Sequence, residues 1–119
     1  MRRRMMNGKI HRATVTGADL DYVGSISIDP LLLKSADILP NEQVAVYNLM
    51  NGARFETYAI EGDEGQVCLN GAAARLAQIG DRVIIVTFAD VEDREIATHE
   101  PSVVVVDDAN RPVDQLPDC

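Results

Sequence analysis

The sequence predicts a mainly β protein: a small, closed, mainly antiparallel barrel carrying two or three short helices. Three observations carry that expectation. Short runs of alternating apolar and polar residues recur along the chain, each bounded by Gly, Pro, Asn or Asp. Asn51-Gly52, the strongest short hairpin signal, separates two such runs. Segments with helical character are few and brief, and closing the sheet would remove its exposed edges.

The first strand is expected from Lys9 to Thr16, with Lys9, His11, Ala13 and Val15 on one face by the period of two. Gly17-Ala18-Asp19 turns the chain into the stretch DYVGSISID, residues 21–29. That stretch reads as a strand with Leu20, Tyr22, Ile26 and Ile28 on one face. Gly24-Ser25 interrupts it where packing would favour larger side chains, and glycine inside a strand marks a bend, a bulge or a close approach. Asp29 is placed to cap a helix with Pro30 at its first position and a body from Leu31 to Ile38, closed by Pro40-Asn41. The hairpin follows, Gln43 to Met50 and Ala53 to Ile60, then a loop from Glu61 to Gly65 and a short strand from Gln66 to Leu69. Gly71 to Gly80 predicts a helix of two turns, with Gly80 beyond its C-terminus. Arg82 to Phe88 is an apolar strand, Val91 to Thr98 a helical turn, and Ser102 to Asp107 another strand. Beyond Asn110 the composition turns polar, and residues 111–119 are expected to fray.

Composition narrows the function classes. A chain of 119 residues with 46% hydrophobic content suits one domain with a single core and excludes disorder. The net charge of −8 argues against a nucleic-acid binder, which needs a basic face. It also means that an anionic substrate needs cations gathered at its site. The basic opening MRRRMM has no long apolar stretch behind it, so neither a signal peptide nor a membrane anchor is expected. Cys68 and Cys119 make no disulfide framework; a reduced thiol and a terminal one point to a cytoplasmic protein. No metal site is expected, because His11 and His99 lack a partner ligand at suitable spacing. A phosphate loop is not expected either, since Gly62-Asp-Glu-Gly65 carries two carboxylates.

Four features are left that could carry chemistry. Gly24-Ser25 is a weak step in a strand. Lys9 and His11 lie on the same side of one strand. Arg54 and Tyr58 share a face of the returning hairpin strand, with Thr57 on the other. Asn70-Gly71 opens a helix whose first N–H groups are available to an anion. Each has an ordinary structural reading: a bulge, solvated charges, a hydrogen-bonded histidine, a half-buried aromatic, a strand-to-helix turn.

Taken together, the segments NGKIHRATVTGADLDYVGSISID (7–29), NGARFETYAI (51–60) and CLNGAAARLAQIGDRVII (68–85) closely resemble the aspartate 1-decarboxylases. These are pyruvoyl-dependent enzymes that make β-alanine for pantothenate. The likeness runs in order along nearly the whole chain and fades after about Asn110. It implies a double-psi β-barrel, a homotetramer with sites at subunit boundaries, and a chain that cuts itself between Gly24 and Ser25 into residues 1–24 and 25–119. In the implied chemistry the Ser25 hydroxyl attacks the Gly24 carbonyl and turns the amide into an ester. β-Elimination then gives dehydroalanine, and loss of ammonia leaves a pyruvoyl group at position 25. A glycine at 24 would spare the attack a crowding Cβ. By the same resemblance Thr57 binds the Gly24 carbonyl oxygen and later faces the substrate, while His11 and Tyr22 assist with protons or orientation.

The implied turnover joins L-aspartate to the pyruvoyl ketone as a Schiff base, an electron sink for decarboxylation. Tyr58 resembles the family's proton donor. Arg54 suits a bidentate carboxylate clamp and Lys9 a second cation, Asn70 orients intermediates, and Gly71, Ala72 and Ala73 resemble the substrate-binding turn. No metal, membrane or nucleic acid is implied, and whether cutting needs a maturation partner stays open. So does the choice between aspartate and another acidic amino acid. A non-catalytic β-barrel binding protein, such as a swapped-hairpin transcription factor, is the rival from another class, and its basic surface conflicts with the charge of −8. Thr57 and Tyr58 are adjacent and point to opposite faces of an ideal strand, so a site using both needs a strand end, a twist or a second chain.

Overall fold

Alternation along the chain produces nine strands among the described residues of the computed structural model, which are 1–22 and 24–113. They are β1 (Arg2–Thr14), β2 (Gly17–Asp19), β3 (Ser25–Ile28), β4 (Gln43–Asn48), β5 (Arg54–Glu61), β6 (Val67–Asn70), β7 (Arg82–Glu92), β8 (Ser102–Val106) and β9 (Pro112–Val113). One α-helix, α1 (Pro30–Ser35), and two 3-10 helices, Gly71–Leu76 and Asp93–Thr98, complete the set. Residues 114–119 of the expected tail lie outside the described residues; Pro112 pairs with Val106 as part of β9.

The strand order is β2-β6-β3-β5-β4-β7-β1-β8-β9. Five pairings are antiparallel (β1–β7, β3–β6, β4–β5, β4–β7, β8–β9) and three parallel (β1–β8, β2–β6, β3–β5). The parallel partners are distant in sequence, as parallel pairing requires a crossover connection. Where β1 passes into β2, the chain ties the two sides of this order together. Val15 N donates to Asp81 O, just before β7, and Thr16 N donates to Val67 O at the start of β6, both at 2.8 Å. The sheet thus closes into a small β-barrel around Ile10, Val15, Ile26, Ile28, Val46, Leu69 and Ile85, all fully buried. Inward alternation of β-branched and leucine side chains supplies the main driving force of such a core.

The start of α1 follows its sequence signals. Asp29 accepts from Leu31 N at 2.8 Å and, through its other oxygen, from Gly65 N at 2.8 Å. One buried carboxylate thus caps the helix and pins the loop before β6. The helix stops at Ser35, three residues short of the expected Ile38.

Three expectations need correction. The first strand starts at Arg2, because Arg2 to Met6 pair with Phe88 to Glu92. Arg2, Arg3 and Arg4 meet Glu92, Asp93 and Asp90 at 3.5–3.7 Å, exposed pairs worth at most about 1 kcal/mol each. Lys9 and His11 do not share the face of Ala13 and Val15. The register moves from Ile10↔Ile85 to Ala13↔Val83, three residues against two, and Arg12 takes φ +66° in this bulge. The extra residue flips the phase: Ala13 and Val15 are buried, whereas Lys9 and His11 are partly exposed. Finally, DYVGSISID is not one strand. Leu20 and Tyr22 are exposed, and β3 begins at Ser25 itself.

Candidate active site

Strands β3 and β6 place a polar group where the sequence shows a weak step. Their antiparallel register is Ser25↔Asn70, Ile26↔Leu69, Ser27↔Cys68 and Ile28↔Val67. Because successive residues face opposite ways, the four apolar residues enter the core at 0% exposure. Ser25, Ser27, Cys68 and Asn70 share the other face. Asn70 Nδ2 donates to Ser25 Oγ at 2.9 Å and to Ser27 Oγ at 3.0 Å. The Cys68 thiol donates to Asn70 Oδ1 at 3.5 Å. Burial, and then the charge of Asp19, push the Cys68 thiol up, which keeps it a protonated donor. Ser25 is 1% exposed and Asn70 3%, so the serine hydroxyl is held by a buried amide.

The glycine that geometry demands is Gly71. It takes φ +62°, and a Cβ there would stand 2.7 Å from Gly24 Cα and 2.9 Å from Gly24 N. Apart from its two chain neighbours, a Cβ on Gly24 would meet nothing within 4 Å. The close approach across the site is made by Gly71. The segment from Gly71 to Leu76 is a six-residue 3-10 helix rather than the expected two turns, so it offers little helix dipole.

Gly24, Thr57, Tyr58, Asn70, Ala72 and Ala73 line one cavity of about 370 Å³, with Phe55, Glu56 and Leu76. Thr57 and Tyr58 reach it together for a reason visible in the register. The parallel β3–β5 ladder starts at Ile26↔Ala59. Thr57 and Tyr58 lie just before that ladder, where the described pairing of β5 is with β4, through Val44 and Gln43.

Other expected residues lie elsewhere. Lys9 and His11 sit on β1, separated from β3 by β5, β4 and β7. His11 is held below the usual histidine range by burial first, then by Lys9 and Arg12, and its Nδ1 is buried without a hydrogen-bond partner. Arg54 is exposed, with its guanidinium 3.9 Å from the centroid of the Tyr47 ring. Tyr22 is 53% exposed and lines a second cavity of about 450 Å³, together with Ser27, Cys68 and Asn70. Glu56 is the single charged side chain around the first cavity, and no cation lines it among the described residues.

The sequence alone assigned no role to Ser27 and gave Cys68 only as a reduced thiol. Their spacing was the available signal: each lies two residues from a site residue, hence on the same strand face.

A family model for aspartate decarboxylase matches residues 1–113. The chain belongs to the aspartate decarboxylase family. The aspartate 1-decarboxylase of Thermoanaerobacter pseudethanolicus is 56% identical over 115 residues, covering 95% of this chain and 98% of that protein. That of Desulfitobacterium hafniense is 60% identical over 115 residues, covering 95% and 91%. The Syntrophobacter fumaroxidans enzyme is 56% identical over 117 residues, covering 97% and 94%. Within this fold Ser25 is buried beside Asn70, which lines the cavity together with Thr57 and Tyr58. Among the described residues no helix is long and apolar enough to cross a membrane, and no cluster of His, Cys, Asp and Glu is arranged to hold a metal ion.

Proposed function

We propose that this chain cuts itself at Gly24–Ser25 and, once carrying a pyruvoyl group, converts L-aspartate to β-alanine and carbon dioxide for pantothenate biosynthesis. The observation that carries this reading is the buried Ser25 hydroxyl, held by Asn70 beside a glycine that opens onto a cavity. Attack forms the Oγ–C bond to the Gly24 carbonyl and breaks the C–N bond, while the hydroxyl proton passes to the Ser25 nitrogen. Thr57, which lines the same cavity as Gly24, hydrogen-bonds the carbonyl oxygen as it gains negative charge. Holding the hydroxyl against its own backbone supplies the effective concentration of an intramolecular reaction. Loss of the residue-25 Cα proton and departure of the Gly24 carboxylate give dehydroalanine, and water then displaces its nitrogen as ammonia.

The residues fit a pyruvoyl group at 25: Asn70 has an N–H aimed at that position, and Ala72 and Ala73 leave room beside it. When present, the group's ketone binds the substrate amine and draws in the electrons of the breaking carbon–carboxylate bond. Tyr58, which lines the cavity with Asn70, gives a proton to the substrate carbon that has lost its carboxylate. Tyr58→Phe is therefore expected to cut normally while kcat falls by roughly 10²-fold or more; full turnover in the Phe variant would remove the acid assignment.

A dianionic substrate cannot settle beside Glu56 without cations, and the cavity's own chain lines it with none. Lys9, on β1, and Arg54, on β5 but outside the cavity's lining, serve as those cations when a neighbouring copy presents them, which makes the working unit a homotetramer with shared sites. Light scattering is expected to give four times the chain mass, and a fully active monomer would contradict it. The reading as a whole is tested by intact mass under denaturing conditions, followed by incubation with L-aspartate. Two chains divided after Gly24, the larger starting with a pyruvoyl group, together with β-alanine production, are expected. A purified chain that stays uncut on long warming, and after adding a cell extract to supply any maturation partner, would overturn it.

A further inference from the structure

We propose that Ser27 and Cys68 are positioning residues that aim the Asn70 amide at residue 25. The geometry that carries this is the β3–β6 ladder. Ser25 stands opposite Asn70 and Ser27 opposite Cys68, so four polar side chains form a square on one face of two paired strands. Asn70 has two N–H donors and one carbonyl oxygen to place. One N–H goes to Ser27 Oγ at 3.0 Å, and the oxygen takes the Cys68 thiol at 3.5 Å. With those two directions set, the remaining N–H points at Ser25 Oγ, where it is found at 2.9 Å. An amide is planar, so anchoring one N–H and the oxygen fixes both the side-chain torsion and the O/N orientation. Without Ser27 one buried N–H loses its acceptor, and without Cys68 the oxygen loses its donor; either loss favours an amide turned away from residue 25.

The square is closed on its apolar side by Ile26, Ile28, Val67 and Leu69, which leaves the strands no room to slide. Neither Ser27 nor Cys68 lines the cavity that holds Thr57 and Tyr58. They lie on the far side of Asn70, along the second cavity, and so act through Asn70 and not on the reacting atoms. Both anchors are also chemically unchanged by cutting at Gly24–Ser25, so the amide keeps its aim after the hydroxyl of residue 25 is gone.

This inference rests on the self-cleavage reading, and the test separates the two. Full-length Ser27→Ala, Cys68→Ala and Cys68→Ser chains are purified beside the parent. Uncut fraction is followed by denaturing intact mass, with the thermal midpoint recorded for each. Loss of one neutral hydrogen bond corresponds to about fivefold, so Ser27→Ala and Cys68→Ala are each expected to cut about fivefold more slowly. Cys68→Ser, whose hydroxyl reaches the same Asn70 oxygen, is expected to return most of the parent rate, which a purely packing role of the thiol would not produce. Parent-like cutting in both alanine variants overturns the inference while leaving self-cleavage intact. A serine variant as slow as the alanine one removes Cys68 from it. A parent chain that never cuts overturns the underlying reading instead.

Discussion

Ser25→Ala is expected to leave the chain whole and without decarboxylase activity. In the proposed self-cleavage the hydroxyl supplies the oxygen that attacks Gly24, and after elimination the Ser25 Cα becomes the ketone carbon of the cofactor and its Cβ the methyl carbon, so nothing nearby can substitute. Ser27 is the obvious candidate for rescue, being a serine two residues on and bonded to the same Asn70 nitrogen. It follows Ile26, whose side chain is fully buried in the core and whose backbone is locked into ladders with both Ala59 and Leu69. A peptide bond paired on both sides cannot pyramidalise toward a neighbouring hydroxyl without breaking sheet hydrogen bonds. Gly24–Ser25, in contrast, lies at the very start of β3, where the β6 ladder reaches Ser25 but the β5 ladder begins only at Ile26. The alanine variant still folds: leaving the buried Asn70 N–H without the Ser25 acceptor costs roughly 1–3 kcal/mol, from a barrel that keeps its apolar face intact. Two readouts check this together, a single mass for the denatured chain and no β-alanine from a preparation that still melts cooperatively. Cutting in this variant, at any bond near residue 25, would falsify the assignment of the nucleophile.

The sequence made the barrel legible where alternation was clean and turns were marked. The Asn51-Gly52 hairpin, the Asp29-Pro30 helix start and the Arg82 strand all stand where the residues put them, because each is fixed by local chemistry. What stayed illegible depended on partners distant in the chain. The extension of β1 back to Arg2 follows from pairing with Phe88 to Glu92, which no local pattern in MRRRMM announces. The bulge at Arg12 inverts which side chains face the core, and a period-two count cannot detect one extra residue. DYVGSISID shows the same limit at the site: its alternation continues through Tyr22, yet the strand exists only where β6 and β5 lie alongside. At the site itself, the resemblance supplied names for residues but not their neighbours. That Cys68 and Ser27 grip Asn70 is a matter of register between β3 and β6, and register is set by the whole barrel.

Gly71→Ala is expected to slow cutting far more than it destabilises the fold. Two separate penalties apply. At φ +62° an L-residue is about 1–2 kcal/mol worse than glycine. The new Cβ would also stand 2.7 Å from Gly24 Cα, 2.9 Å from Gly24 N and 3.1 Å from the Tyr22 carbonyl oxygen. These are backbone atoms, so no rotamer change relieves the contact; the chain from Tyr22 to Gly24 has to move. Tyr22 is exposed, and neither Tyr22 nor Gly24 belongs to a ladder among the described residues, so they can yield without unfolding the barrel. The thermal midpoint is therefore expected to fall by only roughly 5–10 °C. Cutting suffers far more, because the displaced atoms belong to the reacting peptide itself, and a shift of about 1 Å is enough for a roughly 10²-fold loss. Gly24→Ala makes the control from the opposite side: its Cβ enters open space, so the fold should keep its parent midpoint. A Gly71→Ala chain that cuts at the parent rate would mean that Gly71 and Gly24 are not in contact when the bond breaks, and the site would have to open before it reacts.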